Sequence, residues 1–316
     1  MKWLVALCSM LALGAGIIIE GRAEGLRYAP SSAQDFVARW SFQRICSFTF
    51  DPRTRAFPTK NGETTFAPES VKTADIIFVR DIERFFREMH PRITVPYIIL
   101  THGERLEAVK EQHLSYLQDD LIIAWFAIHP CKKTHPKLFP IPLGILQKPW
   151  IYKKGAQLNA MFLKLRETPK DYLLYLNFAD SKKPERQRLK VRFQDEKFCK
   201  NGERKPFKSY LQEMARCKFV LSPAGLAPDC YRNWEALLVG SIPVVKRSQL
   251  DPLFEGLPVL IVDTWEAITQ EFLNEQYKKI TSRVYDSAPL YMEYWIAKIV
   301  QVRDRYIANN LGAKRK

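Results

Sequence analysis

From residue 74 onward the apolar positions fall into short unbroken runs that alternate with stretches of helical periodicity. Residues 74–79, 97–100 and 121–127 are such runs. Between them, 82–89 and 106–117 carry apolar residues at helical spacing, the first stopping before Pro91. Residues 139–145 form a rigid strand or loop punctuated by Pro140 and Pro142. A second set follows, with apolar runs at 171–178, 218–221, 242–245 and 259–262 and helical patterns at 185–194, 207–215, 229–239 and 264–273. Apolar runs without polar alternation predict strands covered on both faces. Their alternation with helices predicts mainly parallel sheets, because parallel neighbours need a crossover long enough to hold a helix.

The composition changes between Gly144 and Thr168, which separates the two sets. The pattern is that of an α/β protein of two Rossmann-like domains, 24–165 and 166–283, facing a cleft. The stretch to about residue 70 is irregular, with Pro30, Pro52, Pro58 and Pro68. Residues 284–316 carry one long helix, 289–310, rich in aromatic residues (Tyr291, Tyr294, Trp295, Tyr306). A helix that follows a finished sheet needs something to cover, and packing back across the cleft is the expectation.

A chain of 316 residues can bury two ordinary cores, and 47% hydrophobic with 26% charged residues is a globular balance. The net charge of +15 points to anionic partners: nucleotide phosphates, acidic glycans, an anionic membrane or nucleic acid. Nucleic acid is not expected, because no aromatic-basic recognition motif is present. At the N-terminus, Lys2 precedes the uncharged run 3–19, and Gly21-Arg22-Ala23 offers small residues for cleavage. Residues 1–23 suit either a cleavable signal or a short membrane anchor. That implies the secretory pathway, such as a Golgi lumen, or a membrane-associated protein. Of six cysteines (Cys8, Cys46, Cys131, Cys199, Cys217, Cys230) no two stand in a Cys-x-x-Cys pair. Cys131 with His129 and His135 is no convincing metal set, and no Asp-x-Asp ends a strand, so neither metal nor cofactor is expected.

The chemistry concentrates in 217–246, which reads as strand, tight loop, helix, turn, strand. Ser222 ends the first strand, where open parallel sheets bind ligands. Gly225 allows close backbone approach. Asp229 is a candidate N-cap, leaving the first helical amides to face an anion. Arg232 and Glu235 share one helical face, as ligand contacts or as an ordinary ion pair. Gly240 stops the helix.

Ser222-Pro223-x-Gly225, Asp229-x-x-Arg232-x-Trp234-Glu235-Ala236-Leu237, Gly240-x-Ile242-Pro243-Val244 and Leu250-x-Pro252-Leu253 resemble, in order and spacing, the donor-binding half of exostosin-type glycosyltransferases. Weaker blocks extend the resemblance over about 71–274: Asp75 to Arg80, Thr101-His102, 138–145, and Leu176-Asn177-Phe178 with Glu185-Arg186. The resemblance implies a GT-B type fold and transfer of a sugar, from a UDP-sugar in preference, to a glycan or glycoconjugate acceptor without a metal. It implies Glu235 on the nucleotide ribose and Arg232 on the diphosphate. Arg186, Arg188 and Lys246 are secondary phosphate candidates, and Asn177 lies at the matching strand end. A transfer that inverts the anomeric centre needs a general base, for which Glu104 and His102 are the nearest candidates. Two other readings stay open at this point, an inactive glycan-binding member of the same fold and a polyanion-binding module.

Overall fold

The computed structural model describes residues 25–29, 35–52, 65–103, 108–146, 155–179, 183–225 and 227–313. The N-terminal apolar run and Glu104 lie outside them. The N-terminal half contains β1 (Arg27–Tyr28), α1 (Arg39–Arg44), β2 (Phe48–Phe50), β3 (Ile76–Val79), α2 (Ile82–Glu88), β4 (Tyr97–Thr101), β5 (Ile122–Ala127) and β6 (Leu138–Pro140). Helix α3 (Gly155–Arg166) leads into β7 (Tyr172–Leu176), α4 (Pro184–Phe193), β8 (Cys199–Asn201), α5 (Phe207–Ala215), β9 (Cys217–Leu221), α6 (Tyr231–Leu238), β10 (Ile242–Lys246) and β11 (Leu260–Val262). The chain ends with α7 (Gln270–Thr281), β12 (Val284–Tyr285) and α8 (Met292–Ala313). Among the described residues no helix is long and apolar enough to cross a membrane.

Two five-stranded sheets result, parallel throughout. The second runs β11-β10-β9-β7-β8, so strand order reverses between β7 and β9. The first runs β2-β3-β4-β5-β6 in chain order and has no reversal. It is therefore parallel α/β but not doubly wound like a Rossmann sheet. Right-handed crossovers in a sequential sheet put every connection on one face, and its other face must be covered from elsewhere.

Strand alternation shows how that is done. Ile77, Val79, Tyr97, Ile99 and Trp125 join a core with Phe85 and Phe86 of α2. Ile76, Phe78, Ile98, Leu100 and Phe126 point the other way, into a core shared with Phe42 of α1, Trp234 of α6 and Trp295 of α8. In the second sheet Tyr175 and Val220 face this shared core, while Leu174, Leu176, Phe219 and Leu221 face a third with Leu273 of α7. The two halves are thus joined by buried apolar surface. Helix α8 returns to pack on β5, and β1 pairs in parallel with β12 away from the N-terminal sheet.

Three helices differ from the periodicity. The pattern at 106–117 becomes a 3-10 segment, Glu111–Gln118, because the Val109 amide is bonded to the His129 carbonyl at 3.1 Å. The helix expected from 264 begins at 270, where Thr269 caps it by accepting from Phe272 N; Arg192 holds the carbonyls of Glu266 and Ile268. The last helix starts at Met292, since Tyr291 bridges to Phe36 and Met292 N bonds to Asp35 O.

Candidate functional site

The carboxyl ends of β7 and β9 flank the point where strand order reverses, and no strand connection closes the crevice there. A cavity of about 500 Å³ occupies this place. Its second-sheet wall includes Asn177, Phe178, Arg186, Lys205, Phe207, Tyr210, Gly225, Asp229, Arg232 and Glu235. Its opposite wall is His129, Leu143 and Leu146, from beyond the ends of β5 and β6. The carboxyl ends of both sheets therefore meet at one site.

Two guanidinium groups dominate it. Arg232, the second residue of α6, donates Nε to the Asn177 carbonyl at 2.9 Å and Nη1 to Ser222 Oγ at 3.4 Å. Arg186, from α4, donates Nε to Ala224 O at 3.1 Å and Nη2 to Pro223 O at 3.4 Å. Both lie over the ring of Phe178, at 5.5 and 5.6 Å from its centre. Neither makes an ion pair with a carboxylate among the described residues. Burial, with the neighbouring Arg232 charge, lowers the Arg186 pKa. A Cβ on Gly225 would meet Arg186 Nη2 at 3.4 Å, so the loop backbone lies close against that guanidinium.

The carboxylates beside them are occupied and face the first sheet. Glu235 Oε2 accepts from Tyr210 OH at 3.0 Å, and Oε1 from Leu146 N at 3.4 Å. It is buried, which raises its pKa. Asp229 is not the N-cap of α6. Cys230 holds that position, and no side chain caps the helix. Asp229 instead accepts from Trp234 Nε1 at 2.9 Å, Asn233 Nδ2 at 3.0 Å and Leu143 N at 2.8 Å. Glu235 and Asp229 thus clamp the backbone of 143–146 against α6.

Burial pushes the Asp229 carboxyl up to about 6. Its folded pKa lies above its unfolded one, so its stabilising contribution is full below about pH 4 and is lost as pH rises through 6. The rise from 3.8 to about 6 corresponds to about 3 kcal/mol. Asp229→Asn should flatten this part of the stability curve. Urea unfolding of both proteins at pH 4 to 7 checks it; parallel curves would show that Asp229 does not titrate there.

Six expected site residues meet at the cavity: Asn177, Arg186, Gly225, Asp229, Arg232 and Glu235. Four do not. Ser222 is buried beneath Arg232 and holds Asn233 and Cys230. Lys246 turns away to Glu185, 3.6 Å distant. His102 is fully buried, with Nε2 3.1 Å from the Pro142 carbonyl and the ring against Phe42, so it does not reach the site. Glu104 lies outside the described residues. Arg188 is exposed on the far side of α4. The Arg232–Glu235 ion pair is not formed; each side chain has other partners. Sequence reasoning missed Phe178, Lys205, Tyr210 and His129. Phe178 and Tyr210 read as core positions, and His129 was weighed only as a metal ligand. Its place two residues past a predicted strand end was the available signal.

Fold and site together define a parallel α/β protein with a cationic cavity at a topological switch point. Residues 178–252 match the family described as RXYLT1 C-terminal domain, which supports the exostosin-like resemblance of this stretch. No curated protein matches the chain in sequence. Solved structures that match the chain include the GtfA/B complex, at 12% identity and TM-score 0.36 over 74% of this chain and 58% of the matched one. Sucrose-phosphate synthase from Thermosynechococcus elongatus matches at 13% identity and TM-score 0.35 over 74% of each chain. The pneumococcal O-GlcNAc transferase GtfA in complex with UDP and GlcNAc matches at 12% and 0.32, over 77% of this chain and 58% of its own.

Proposed function

We propose that the protein is a glycosyltransferase of GT-B type that takes a sugar nucleotide, a UDP-sugar in preference, and passes its sugar to a glycan or glycoconjugate. The observation that carries this reading is the pair of guanidiniums at the switch point, held among the described residues by neutral oxygens and the Cys230 sulfur and sharing the Phe178 ring. Two positive charges set among carbonyls are an incomplete electrostatic arrangement that a diphosphate completes. The same groups then stabilise the negative charge that grows on the leaving diphosphate, so that transfer needs no divalent cation. Glu235, a few residues further along the same helix, lines the same cavity and on this reading takes the ribose hydroxyls, which leaves the His129, Leu143 and Leu146 wall to the acceptor.

Calorimetric titration with UDP, GDP and uridine in EDTA tests the reading. UDP is expected to bind more tightly than uridine, and a concentration 100 times its Kd should add about 2.7 kcal/mol to stability. Glu235→Ala should weaken UDP and uridine alike, by about tenfold, the worth of roughly one hydrogen bond to a charged group. No measurable affinity for either diphosphate would remove the proposal. Diphosphate binding without release of UDP or GDP from any of a panel of their sugar conjugates would leave an inactive glycan-binding protein.

A further inference from the structure

Inside the cavity one group is left without a task. His129 sits two residues beyond the end of β5, its backbone carbonyl fixed by the Val109 amide. It lines the same cavity as Arg186 and Arg232. The residue is only 9% exposed, and its Nδ1 is buried with no hydrogen-bond partner. A buried ring nitrogen that the protein leaves unbonded is costly unless a ligand or the reaction uses the ring. Among the described residues, the other histidine and the carboxylates considered for acid–base work have partners of their own. His102 is sealed off, while Asp229 and Glu235 are bound by protein donors.

We infer that His129 is the general base that takes the proton of the attacking hydroxyl. The inference rests on the sugar-transfer reading of the site. In the step, the hydroxyl oxygen bonds to the anomeric carbon of the donor sugar. The bond from that carbon to the phosphate oxygen breaks with its electron pair, releasing the nucleoside diphosphate. The hydroxyl proton passes to the lone pair of the imidazole, leaving an imidazolium. Attack comes from the first-sheet wall and departure goes to the guanidinium wall, so the anomeric centre inverts.

The electrostatics suit this order of events. Burial lowers the imidazole pKa to about 4, so the ring is neutral at pH 7 and keeps a free lone pair. A bound diphosphate brings negative charge into the same cavity, which favours the imidazolium. Donor binding thereby raises the basicity of His129 at the moment it is needed, and the ring stays unprotonated otherwise.

The test uses UDP and a panel of UDP-sugars, with water and azide as the two acceptors. Water needs a base to give up its proton, whereas azide carries none. His129→Ala should bind UDP within about twofold of wild type. UDP release into water should fall by about a hundredfold or more, the range for a lost general base. Azide should restore most of that loss, and the product should be the inverted glycosyl azide. His129→Gln, which keeps polarity and bulk, should behave in the same way and guards against a variant that fails to fold. Release into water at the wild-type rate would overturn the assignment. So would a loss that azide does not repair while UDP still binds, which would make His129 a positioning residue. A wild-type chain that binds neither UDP nor GDP would instead remove the sugar-transfer reading, and His129 with it.

Discussion

Gly144→Ala is expected to lower the unfolding free energy by about 3 kcal/mol or more, a large part of what a domain has. Gly144 has a φ of +74°, where an L side chain already costs about 1–2 kcal/mol. A Cβ there would stand 2.0 Å from the Val37 carbonyl oxygen and 2.4 Å from its carbon. Those are backbone atoms and have no rotamer to yield with. Val37 O also accepts from Ile145 N at 3.0 Å, so the methyl would push apart a bond that holds the turn. On either side lie Leu143 and Leu146, whose amides are held by Asp229 and Glu235. The substitution should therefore loosen one wall of the cavity as well as destabilise the fold. Gly256 supplies the control: its φ is +75°, but a Cβ there meets nothing within 4 Å. Gly256→Ala should cost only the conformational term, about 1 kcal/mol. Denaturant unfolding of the two variants separates clash from conformation, and equal losses would show that the turn at 144 yields freely.

The second large effect is expected at the two guanidiniums. Arg232→Ala should weaken UDP binding by about ten- to a hundredfold, and Arg186→Ala by a similar factor, as for a lost charge-assisted hydrogen bond. Arg232→Lys should fall between wild type and alanine. An ammonium keeps the charge but cannot bond the Asn177 carbonyl and Ser222 while presenting the rest of its fork to a phosphate. The two losses should not be additive, since the groups share Phe178 and the Arg232 charge lowers the Arg186 pKa. Uridine, which has no phosphate, should lose little in any of the variants. Titrating UDP and uridine against all three variants decides the matter. Equal, small losses for both ligands would mean that the arginines only brace the loop at 223–225.

Much of this site is legible in the chain because it is local. Ser222 to Glu235 is one strand end, one loop and one helix, and helical spacing alone puts Arg232 and Glu235 on the same side. The apolar runs announce buried strands for the same reason, since each run is read within its own few residues. Asp229 was misjudged as a cap because its proper partner, the Leu143 amide, is 86 positions away. Lys246 stands at a strand end, as a ligand contact would, but its strand is one place beyond the crevice and Glu185 lies nearer.

The sequence by itself determined the class of structure, the position of the helix at 231–238 and the arginine and glutamate on it, because these follow from periodicity and neighbouring residues. The tertiary structure decided which strand ends become neighbours: β7 beside β9, with Asn177, Arg186 and Arg232 brought around one phenylalanine. It also decided that the first sheet runs without reversal, that His102 is sealed in and that His129 is placed at the cavity. The physical reason is that side-chain periodicity records only which face of an element is buried. Strand order and the meeting of two sheets are set by packing over the whole shared core, and single residues carry no local trace of that.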